Sequence, residues 1–296
     1  MRHYSRKIVS DKLSKCVVCG SGRNRKVFEE FGFSVFRCEC GHLFSDAGFR
    51  EDYDGYFGDE NVDDFDVYWW RESHSLMYQE FISRYMEGRS GKILDVGCGL
   101  GFFLQAVQGV AGWEAYGYEI SEPAANYASK VLRLNNVFNG RVEDNGFEKG
   151  SFDIVTLFDV IEHLPDPKSM LGSIRPLLAE DGMLFIHTPN AGVQLLKARL
   201  KRALHRGIRP KGHYLEASDH VNIYTPGSLS QLLSGQGFEK AEFVHLPPIQ
   251  SVAGSKTAAM KLLKNSYYNL AVFLFGMTFG RLNIDNLFAV AKVKKT

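Results

Sequence analysis

The sequence predicts an α/β protein in which helices cover both faces of a mainly parallel sheet, with a small cysteine-rich segment in front of it. Strand-like and helix-like segments alternate from Lys92 to His187, which is the pattern of a doubly wound sheet. A glycine-rich turn follows the first of these strands, at residues 97–101. Four cysteines form two close pairs within the first 40 residues. A chain of 296 residues can bury the core of such a domain and carry additional segments.

The N-terminal cysteines have the spacing of a metal site. They form a Cys-x-x-Cys pair and a Cys-x-Cys pair, each followed by a glycine: Cys16, Cys19, Cys38 and Cys40. Two short pairs about 20 residues apart are typical of a zinc ribbon, in which four thiolates close a tetrahedral site around a structural Zn²⁺. Because the second pair has only one residue between its cysteines, His42 is an alternative to Cys40 as the fourth ligand. Four incidental buried thiols are the remaining interpretation.

The composition predicts three consecutive parts of the chain. They are a zinc ribbon with a hairpin over 27–37 (1–48), an acidic and aromatic linker with a leading helix (49–90), and an α/β domain with helical cap insertions at about 190–222 and 250–280 (91–296). The predicted strands of the α/β domain are 92–96, 113–119, 136–139, 153–158 and 182–187, followed by 238–245 and 287–293.

The linker is rich in both acidic and aromatic residues between 49 and 70. A solvated linker is the simple interpretation, but disordered segments are poor in aromatic side chains. We therefore predict a lid that folds over the ligand site, with Tyr56 or Trp69 touching the ligand. Helical spacing predicts an amphipathic helix over 74–87. The apolar side chains expected to face inward on this helix are Leu76, Phe81 and Tyr85.

The glycine-rich turn is the most specific motif of the chain. Asp95 lies at the end of a buried strand, and Gly97, Gly99 and Gly101 follow it with the spacing G-x-G-x-G. Glycine suits a backbone that takes positive φ and that a ligand approaches closely. Dinucleotide-binding folds use G-x-G-x-x-G instead, so this spacing disfavours a nicotinamide dehydrogenase.

Two further motifs lie at the ends of predicted strands. Glu119 comes 18 residues after Gly101, where an α/β cofactor site places a carboxylate that accepts hydrogen bonds from ribose hydroxyls. The segment 151–167 contains Phe158 at the end of its strand and then reads Asp-Val-Ile-Glu-His-Leu-Pro-Asp-Pro. The three motifs, in this order, resemble those of class I S-adenosylmethionine (SAM) methyltransferases of the small-molecule type.

The resemblance implies a fold, a cofactor and a reaction. The fold is a Rossmann-like, seven-stranded doubly wound sheet whose last strand, 287–293, is antiparallel and pairs with 238–245. The cofactor is SAM. Its sulfonium carries an activated methyl group, so the enzyme mainly positions an acceptor in line with that group.

The same resemblance assigns cofactor contacts by position. The glycine loop holds the methionine part, Glu119 holds the ribose, and 140–143 lies beside the adenine. Arg141 stands where the family has an acid, which leaves the backbone N–H of Val142, or the side chain of Glu143, to bind the adenine. The implied cofactor-binding residues are Asp95, Gly97, Cys98, Gly99, Gly101, Glu119, Ile120, Val142, Glu143 and Phe158.

A hydroxyl acceptor must lose its proton, and a positioned base contributes roughly 10²–10⁴-fold to such a reaction. Histidine titrates near neutrality and is the usual base. The first candidate is His220, which precedes a helix in an element that resembles one of the family, with Asp219 to orient it. The second is His163, after the fourth strand; His187 and His213 are further candidates. A structural role is an equally good interpretation for each histidine.

A basic segment, 193–211, carries seven Lys and Arg side chains. Leu196, Leu200 and Leu204 recur in it at a spacing of four, which predicts an amphipathic helix with one basic face. Three roles are open for this basic face: it is exposed to solvent without a partner, it binds a phosphate-bearing or lipid-linked acceptor, or it contacts a membrane surface. The apolar segment 258–279 would pack beside it as a cap, and its apolar run is too short to span a bilayer.

Together these features predict a cytoplasmic methyltransferase that acts on a hydroxyl of a sugar-like or phenolic small molecule, with carbon and nitrogen acceptors left open. Surface-glycan and secondary-metabolite pathways use such enzymes. The formal net charge of +1 disfavours stable nucleic-acid binding by bulk electrostatics. One alternative is an RNA methyltransferase that binds RNA through its ribbon and basic helix. The other is a non-catalytic zinc-ribbon interaction protein on a degenerate methyltransferase fold.

Overall fold

The computed structural model describes residues 15–30, 32–47, 62, 64–204, 215–247, 258–278, 280 and 282–295. Tyr56 and His213 lie outside these residues. The strands are β1 (Asn24–Glu30), β2 (Phe33–Cys38), β3 (Leu43–Ser45), β4 (Gly91–Val96), β5 (Trp113–Glu119), β6 (Val137–Asn139), β7 (Phe152–Phe158), β8 (Leu178–Thr188), β9 (Asn222–Ile223), β10 (Glu242–Val244) and β11 (Leu287–Lys292). The helices are α1 (Asp64–Tyr85), α2 (Phe102–Gln108), α3 (Glu122–Asn126), α4 (Pro167–Ile174), α5 (Ala191–Leu204), α6 (Pro226–Gly235) and α7 (Ala258–Met277).

Seven strands form the central sheet, in the order β10-β11-β8-β7-β4-β5-β6. The strands from β4 to β8 pair in parallel, whereas β11 runs antiparallel to both β8 and β10. This topology confirms the predicted fold class, including the antiparallel last strand. Since β4 has β5 on one side and β7 on the other, the carboxyl ends of these strands border the crevice where open α/β sheets bind ligands.

Two of the predicted strand boundaries were wrong. The strand predicted over 182–187 begins at Leu178, because the polar residues before Gly182 resemble a turn but continue the strand past an irregular pairing with β7. The strand predicted over 238–245 shortens to β10, and Phe238 makes only an isolated bridge with Val293.

Apolar side chains alternate between the two faces of the central strands, as the period of two in a strand requires. In β4, Ile93 faces the core under α1 and α2, and Leu94 faces the core under α4 and α6. Phe185 and Ile186 divide in the same way in β8. The sequences of these strands are therefore continuously apolar, because helices cover both faces of the sheet.

Helix α1 is longer than predicted and has a different inward face. It begins at Asp64 rather than at residue 74, and an acidic residue at this position suits the positive N-terminal end of a helix dipole. Phe81 is buried as predicted and Tyr85 is half-buried, but Leu76 is 42% exposed.

A second, four-stranded sheet unites the cysteine segment with a later part of the chain. Its order is β1-β2-β3-β9, and β1 and β2 form the hairpin predicted over 27–37. Strand β9 comes from the segment predicted as a cap insertion. The apolar cluster beside this sheet includes Leu195 and Ala198 of α5, so α5 packs on the ribbon through these residues. Leu196 and Leu200, expected on the inward face of α5, are exposed instead.

No helix in the described part of the chain is long and apolar enough to cross a lipid bilayer.

Candidate active site

A cavity of about 1180 Å³, counted out to its open mouth, lies at the carboxyl ends of β4, β5 and β7. Every residue predicted to bind the cofactor lines it except Gly101: Asp95, Gly97, Cys98, Gly99, Glu119, Ile120, Val142, Glu143 and Phe158. Gly101 instead forms the N-cap of α2. Three motifs that are separate in sequence thus meet at one place, because the ends of neighbouring parallel strands share an edge of the sheet.

The glycine loop takes the backbone conformation that its sequence predicts. Gly97, Gly99 and Gly101 have φ values of 74°, 54° and 82°. A Cβ on Gly97 would lie 2.5 Å from Val160 Cγ2, and one on Gly101 would lie 2.6 Å from Leu134 Cδ1. At these two positions, the close contacts that require glycine come from the protein's own side chains as well as from the positive φ.

Glu119 lies at the end of β5 with its carboxylate tied to the loop. Its Oε2 accepts a hydrogen bond from the Gly99 N–H at 2.7 Å, and its Oε1 accepts one from the Ser121 N–H at 2.8 Å. Burial raises the pKa of this carboxyl. Because a carboxylate has about four acceptor sites, Glu119 can also accept bonds from two ribose hydroxyls while the loop holds it in place.

Asp95 is the second buried acid of the cavity wall. Its Oδ1 accepts a hydrogen bond from the Thr156 hydroxyl at 2.7 Å. Burial raises the pKa of Asp95 to about 7, so this carboxyl is partly protonated at neutral pH. A cationic ligand would favour its ionised form.

Besides Asp159 Oδ2, which lies 3.4 Å from His74 Nε2, two buried polar atoms at the cavity wall have no hydrogen-bond partner among the described residues. They are Glu143 Oε2 and Ser121 Oγ. Buried polar groups are almost always satisfied, so such orphans indicate where a ligand donates hydrogen bonds. The amino group of an adenine and the hydroxyls of a ribose are donors of this kind. Together with Glu119, these residues fit the adenosine part of SAM.

Helix α1 closes the cavity with an aromatic stripe. Trp70, His74 and Tyr78 lie one turn apart, with ring centroids 4.7 Å and 5.7 Å from one to the next, and Trp70 and Tyr78 line the cavity. Trp69, the residue predicted to touch the ligand, is not among the lining residues. Its neighbour Trp70 lines the cavity instead. The spacing of four between Trp70, His74 and Tyr78 could have predicted this aromatic face from the sequence. It was missed because the helix was predicted to begin only at residue 74.

Asp159, at the end of β7, is a further acid of the wall that the sequence reasoning missed. Its φ of 54° brings the carboxylate between two buried histidines, with His187 Nδ1 at 3.1 Å and His74 Nε2 at 3.4 Å. Burial alone would raise the pKa of Asp159, but these two histidines hold it below its usual range. The Asn286 amide lies 3.1 Å from His187 Nε2 and braces the ring. The cavity thus presents an ionised carboxylate on this side.

The two candidate bases occupy different positions. His163 lines the cavity, and its Nδ1 donates a hydrogen bond to the Asp219 carbonyl at 3.0 Å. His220 packs against His163 with ring centroids 4.9 Å apart and is not among the lining residues. Its Nε2 lies 3.6 Å from a Glu216 carboxylate oxygen. Asp219, expected to orient His220, contributes its backbone oxygen to His163.

Burial, together with the neighbouring His220, lowers the pKa of His163 to about 4. Burial also lowers the pKa of His220. Both rings are therefore neutral at pH 7. Glu162 completes the cluster: Glu162, His163 and His220 each offer a ligand-type atom, all within 4.8 Å of one another.

Comparison with known proteins agrees with this geometry. Residues 69–242, more than half of the chain, match the family described as "Methyltransferase domain". The chain belongs to the class I SAM-dependent methyltransferase family.

Three similar proteins illustrate the relationship. The ubiquinone biosynthesis O-methyltransferase of Thiobacillus denitrificans is 30% identical over 161 residues, which cover 51% of this chain and 66% of that protein. A SAM-dependent methyltransferase from Archaeoglobus fulgidus has a TM-score of 0.50 at 18% identity, over 78% of this chain and 100% of that one. The PH0226 protein of Pyrococcus horikoshii has a TM-score of 0.51 at 20% identity, over 83% and 100%. The two structures show a shared fold, and the curated relative is spanned for about two thirds of its length.

This methyltransferase also contains a candidate metal centre in its ribbon. The four sulfurs of Cys16, Cys19, Cys38 and Cys40 all lie within 4.8 Å of one another. The Cys16–Cys40 and Cys19–Cys38 sulfurs are 3.7 Å and 3.4 Å apart, which excludes disulfide bonds. Zinc thiolate bonds of about 2.3 Å in a tetrahedron place sulfurs roughly 3.8 Å apart, so the cluster fits a structural Zn²⁺.

His42, the alternative fourth ligand, is not part of this cluster. Its Nε2 lies 2.9 Å from Asn222 Oδ1, and its ring packs between Phe44 and Tyr224. The geometry therefore favours Cys40 as the fourth ligand.

Proposed function

We propose that the protein transfers the methyl group of SAM to a hydroxyl oxygen of a small-molecule acceptor. The cavity carries this proposal, because one wall presents partners for ribose and adenine and the other presents a partly buried, neutral histidine. SAM supplies a methyl group that its sulfonium has already activated. The chain must then bind the cofactor, orient the acceptor and take up the acceptor's proton.

His163 is the proton acceptor in this proposal. Because its Nδ1–H is held by the Asp219 carbonyl, the lone pair is on Nε2. The ring is neutral at pH 7, so it can accept a proton as the acceptor oxygen is methylated. Nearby negative charges on Asp159 and Asp219 favour the imidazolium that forms. His220 supports His163 by packing against it.

A phenolic or sugar-like hydroxyl suits the aromatic wall of the cavity. Trp70, Tyr78 and Phe158 all line it, and aromatic faces pack well against flat or ring-shaped molecules. The relative from Thiobacillus denitrificans is named as an O-methyltransferase, which supports oxygen as the accepting atom. We place the reaction in the cytoplasm, because thiols that bind metal persist in a reducing compartment.

A phosphate-bearing or lipid-linked acceptor is the more specific form of this proposal. The sequences of α5 and α7 contain no acidic residue, and α5 contributes basic side chains such as Lys201 and Arg202. Leu270, Phe273 and Met277 of α7 are exposed. Basic and apolar groups side by side suit the surface of an anionic bilayer. Co-sedimentation with anionic but not with zwitterionic vesicles is expected for a lipid-linked acceptor, and no binding to either would contradict the lipid-linked form.

The proposal is tested in two steps on the full-length protein. Calorimetry should show stoichiometric SAM binding, strongly weakened in Glu119→Gln and retained in the matched control Glu122→Gln, whose side chain is exposed at the start of α3. Labelled methyl transfer from SAM is then measured against a panel of phenols, nucleotide-linked sugars and short RNAs. Transfer to a small hydroxyl compound supports the proposal. Transfer to RNA alone, or SAM binding that is equal in both variants, would refute it.

A further inference from the structure

Residues 215–223, called the histidine loop below, are hydrogen-bonded to the ribbon along one side. The loop contains β9, and its pairing with β3 sets Ile223 opposite Leu43. The Ser45 N–H donates to the Val221 carbonyl at 2.9 Å. One edge of the loop is thus a strand of the ribbon's own sheet.

A buried carboxylate of the ribbon holds the start of the histidine loop. Glu30 Oε2 accepts hydrogen bonds from the N–H groups of Leu215 and Ala217, at 3.1 Å and 3.0 Å. Glu30 is buried, and bonds from backbone N–H groups to a carboxylate are stronger than neutral ones. The Ser45 hydroxyl donates to the Ala217 carbonyl at 2.5 Å. The loop is therefore attached to the ribbon at both of its ends.

The opposite side of the histidine loop contacts the cavity wall. Its Asp219 carbonyl accepts the hydrogen bond from His163 Nδ1, and its His220 ring packs on the His163 ring. The Asn222 amide donates from Nδ2 to the Leu164 carbonyl at 2.6 Å. These contacts fix both the tautomer and the orientation of His163.

One pair of buried side chains connects the two sides. Because Asn222 donates to a carbonyl through its amino group, its Oδ1 faces His42, and His42 Nε2 must be the donor of the 2.9 Å hydrogen bond. The His42 ring packs between Phe44 and Tyr224 and follows the metal ligand Cys40 by two residues. Both His42 and Asn222 are 0% exposed, so water cannot replace either partner.

We infer that the zinc ribbon positions the acceptor side of the active site, with His42 and Asn222 as the positioning residues that couple the ribbon to His163. This inference rests on the proposed role of His163 as proton acceptor. The cofactor side is held differently, since the N–H groups of its glycine loop donate to the Tyr118 carbonyl and to Glu119. Its glycine loop and Glu119 belong to β4 and β5, and no described residue of β1, β2 or β3 lines the cavity. A change in the ribbon alters His163 and leaves SAM affinity unchanged.

Matched variants separate the hydrogen bond from the packing of the ring. His42→Phe keeps an aromatic ring between Phe44 and Tyr224 but cannot donate to Asn222. His42→Gln keeps a donor at the same end of the side chain. Glu39→Gln is the control, because Glu39 is exposed in the turn between two metal ligands and does not contact the histidine loop.

Four quantities are measured on the full-length, zinc-loaded protein: zinc content, SAM affinity, amide hydrogen exchange of the histidine loop, and the NMR titration of the His163 ring. In His42→Phe, exchange of the loop is expected to be about tenfold faster, because a buried acceptor loses its donor. The titration midpoint of His163 should shift, since its distances to His220, Asp219, Asp159 and Glu162 change. His42→Gln should recover both signals, and zinc content and SAM affinity should be unchanged in every variant.

The inference is overturned by a folded, zinc-loaded His42→Phe variant with wild-type loop exchange and wild-type His163 titration. If that variant does not fold, the same readouts are taken on Asn222→Asp, which keeps an acceptor for His42 and loses the donor to Leu164. Unchanged exchange there overturns the inference equally. Absence of SAM binding by the wild-type protein would refute the proposed function instead. The hydrogen-exchange result would still test the coupling between the ribbon and the histidine loop.

Discussion

The two walls of the cavity are built in different ways. The cofactor wall consists of the glycine loop after β4 and Glu119 at the end of β5, which lie close in sequence and bind each other through the Gly99 N–H. The acceptor wall combines α1 and the turn from Asp159 to His163, with the histidine loop packed behind it, and these segments lie up to about 150 residues apart in the chain. One wall is local and held by backbone contacts, and the other is assembled by tertiary contacts between side chains.

This difference predicts which functions can be separated by mutation. Glu119, the proposed ribose partner, belongs to the parallel sheet itself, so it remains in place whenever the sheet folds. The proposed base depends on contacts with the ribbon and with the loop that follows α5. Cofactor binding should therefore tolerate changes that abolish methyl transfer, whereas the reverse should not occur.

The largest expected effect is on the acceptor wall. His163→Gln should lower turnover about 10²–10⁴-fold and leave SAM affinity within error, because only the proton acceptor is lost. His220→Gln, which changes a ring packed behind it, should have a smaller effect. Steady-state kinetics with an acceptor identified from the panel checks this. A larger loss in His220→Gln would reverse the two roles and return the base to the residue first favoured by the sequence.

A comparably clear test applies to the cofactor wall. Glu119→Ala should weaken SAM binding roughly 100-fold, since two ribose hydrogen bonds to a charged group are lost. Calorimetry measures the affinity, with Glu122→Ala as the control. Near-normal affinity in Glu119→Ala would show that the ribose lies elsewhere, and the comparison between the walls would fail.

The pH dependence of SAM affinity tests the role of Asp95 in the cofactor wall. The pKa of Asp95 is raised to about 7 by burial, and a cationic ligand binds the ionised form more tightly. Protons therefore compete with SAM below pH 7, and affinity should fall by up to about tenfold per pH unit there and level off above pH 8. The Asp95→Asn variant should show a flat profile. A wild-type profile that is flat from pH 5.5 to 8 would contradict this assignment.

The smallest expected effect concerns neighbouring tryptophans of α1. Trp70→Ala should weaken ligand binding about three- to tenfold, because an aromatic side chain of the cavity wall is removed. Trp69→Ala, one residue away and outside the lining, should change affinity less. Equal losses in the two variants would indicate an effect on the helix rather than a contact with the ligand.

Sequence reasoning succeeded where a function depends on neighbouring residues. The positive φ values of the glycine loop and the convergence of the cysteine sulfurs follow from spacing, because glycines and short cysteine pairs impose their own local geometry. It was less successful with helix faces. Trp70 replaced Trp69 at the cavity, and Leu195 replaced Leu196 on the buried side of α5, because a shift of one residue rotates a helical side chain by about 100°.

The order of the strands in the α/β domain, the family, and the residues at the cofactor wall followed from the amino-acid sequence. These properties depend on local periodicity and on turns that only glycine can form. The tertiary structure alone decided that His163 rather than His220 reaches the cavity, that Asp159 lies between two histidines, and that the ribbon shares a sheet with β9. Each of these is a contact between distant segments, and its geometry is set by how buried surfaces pack together.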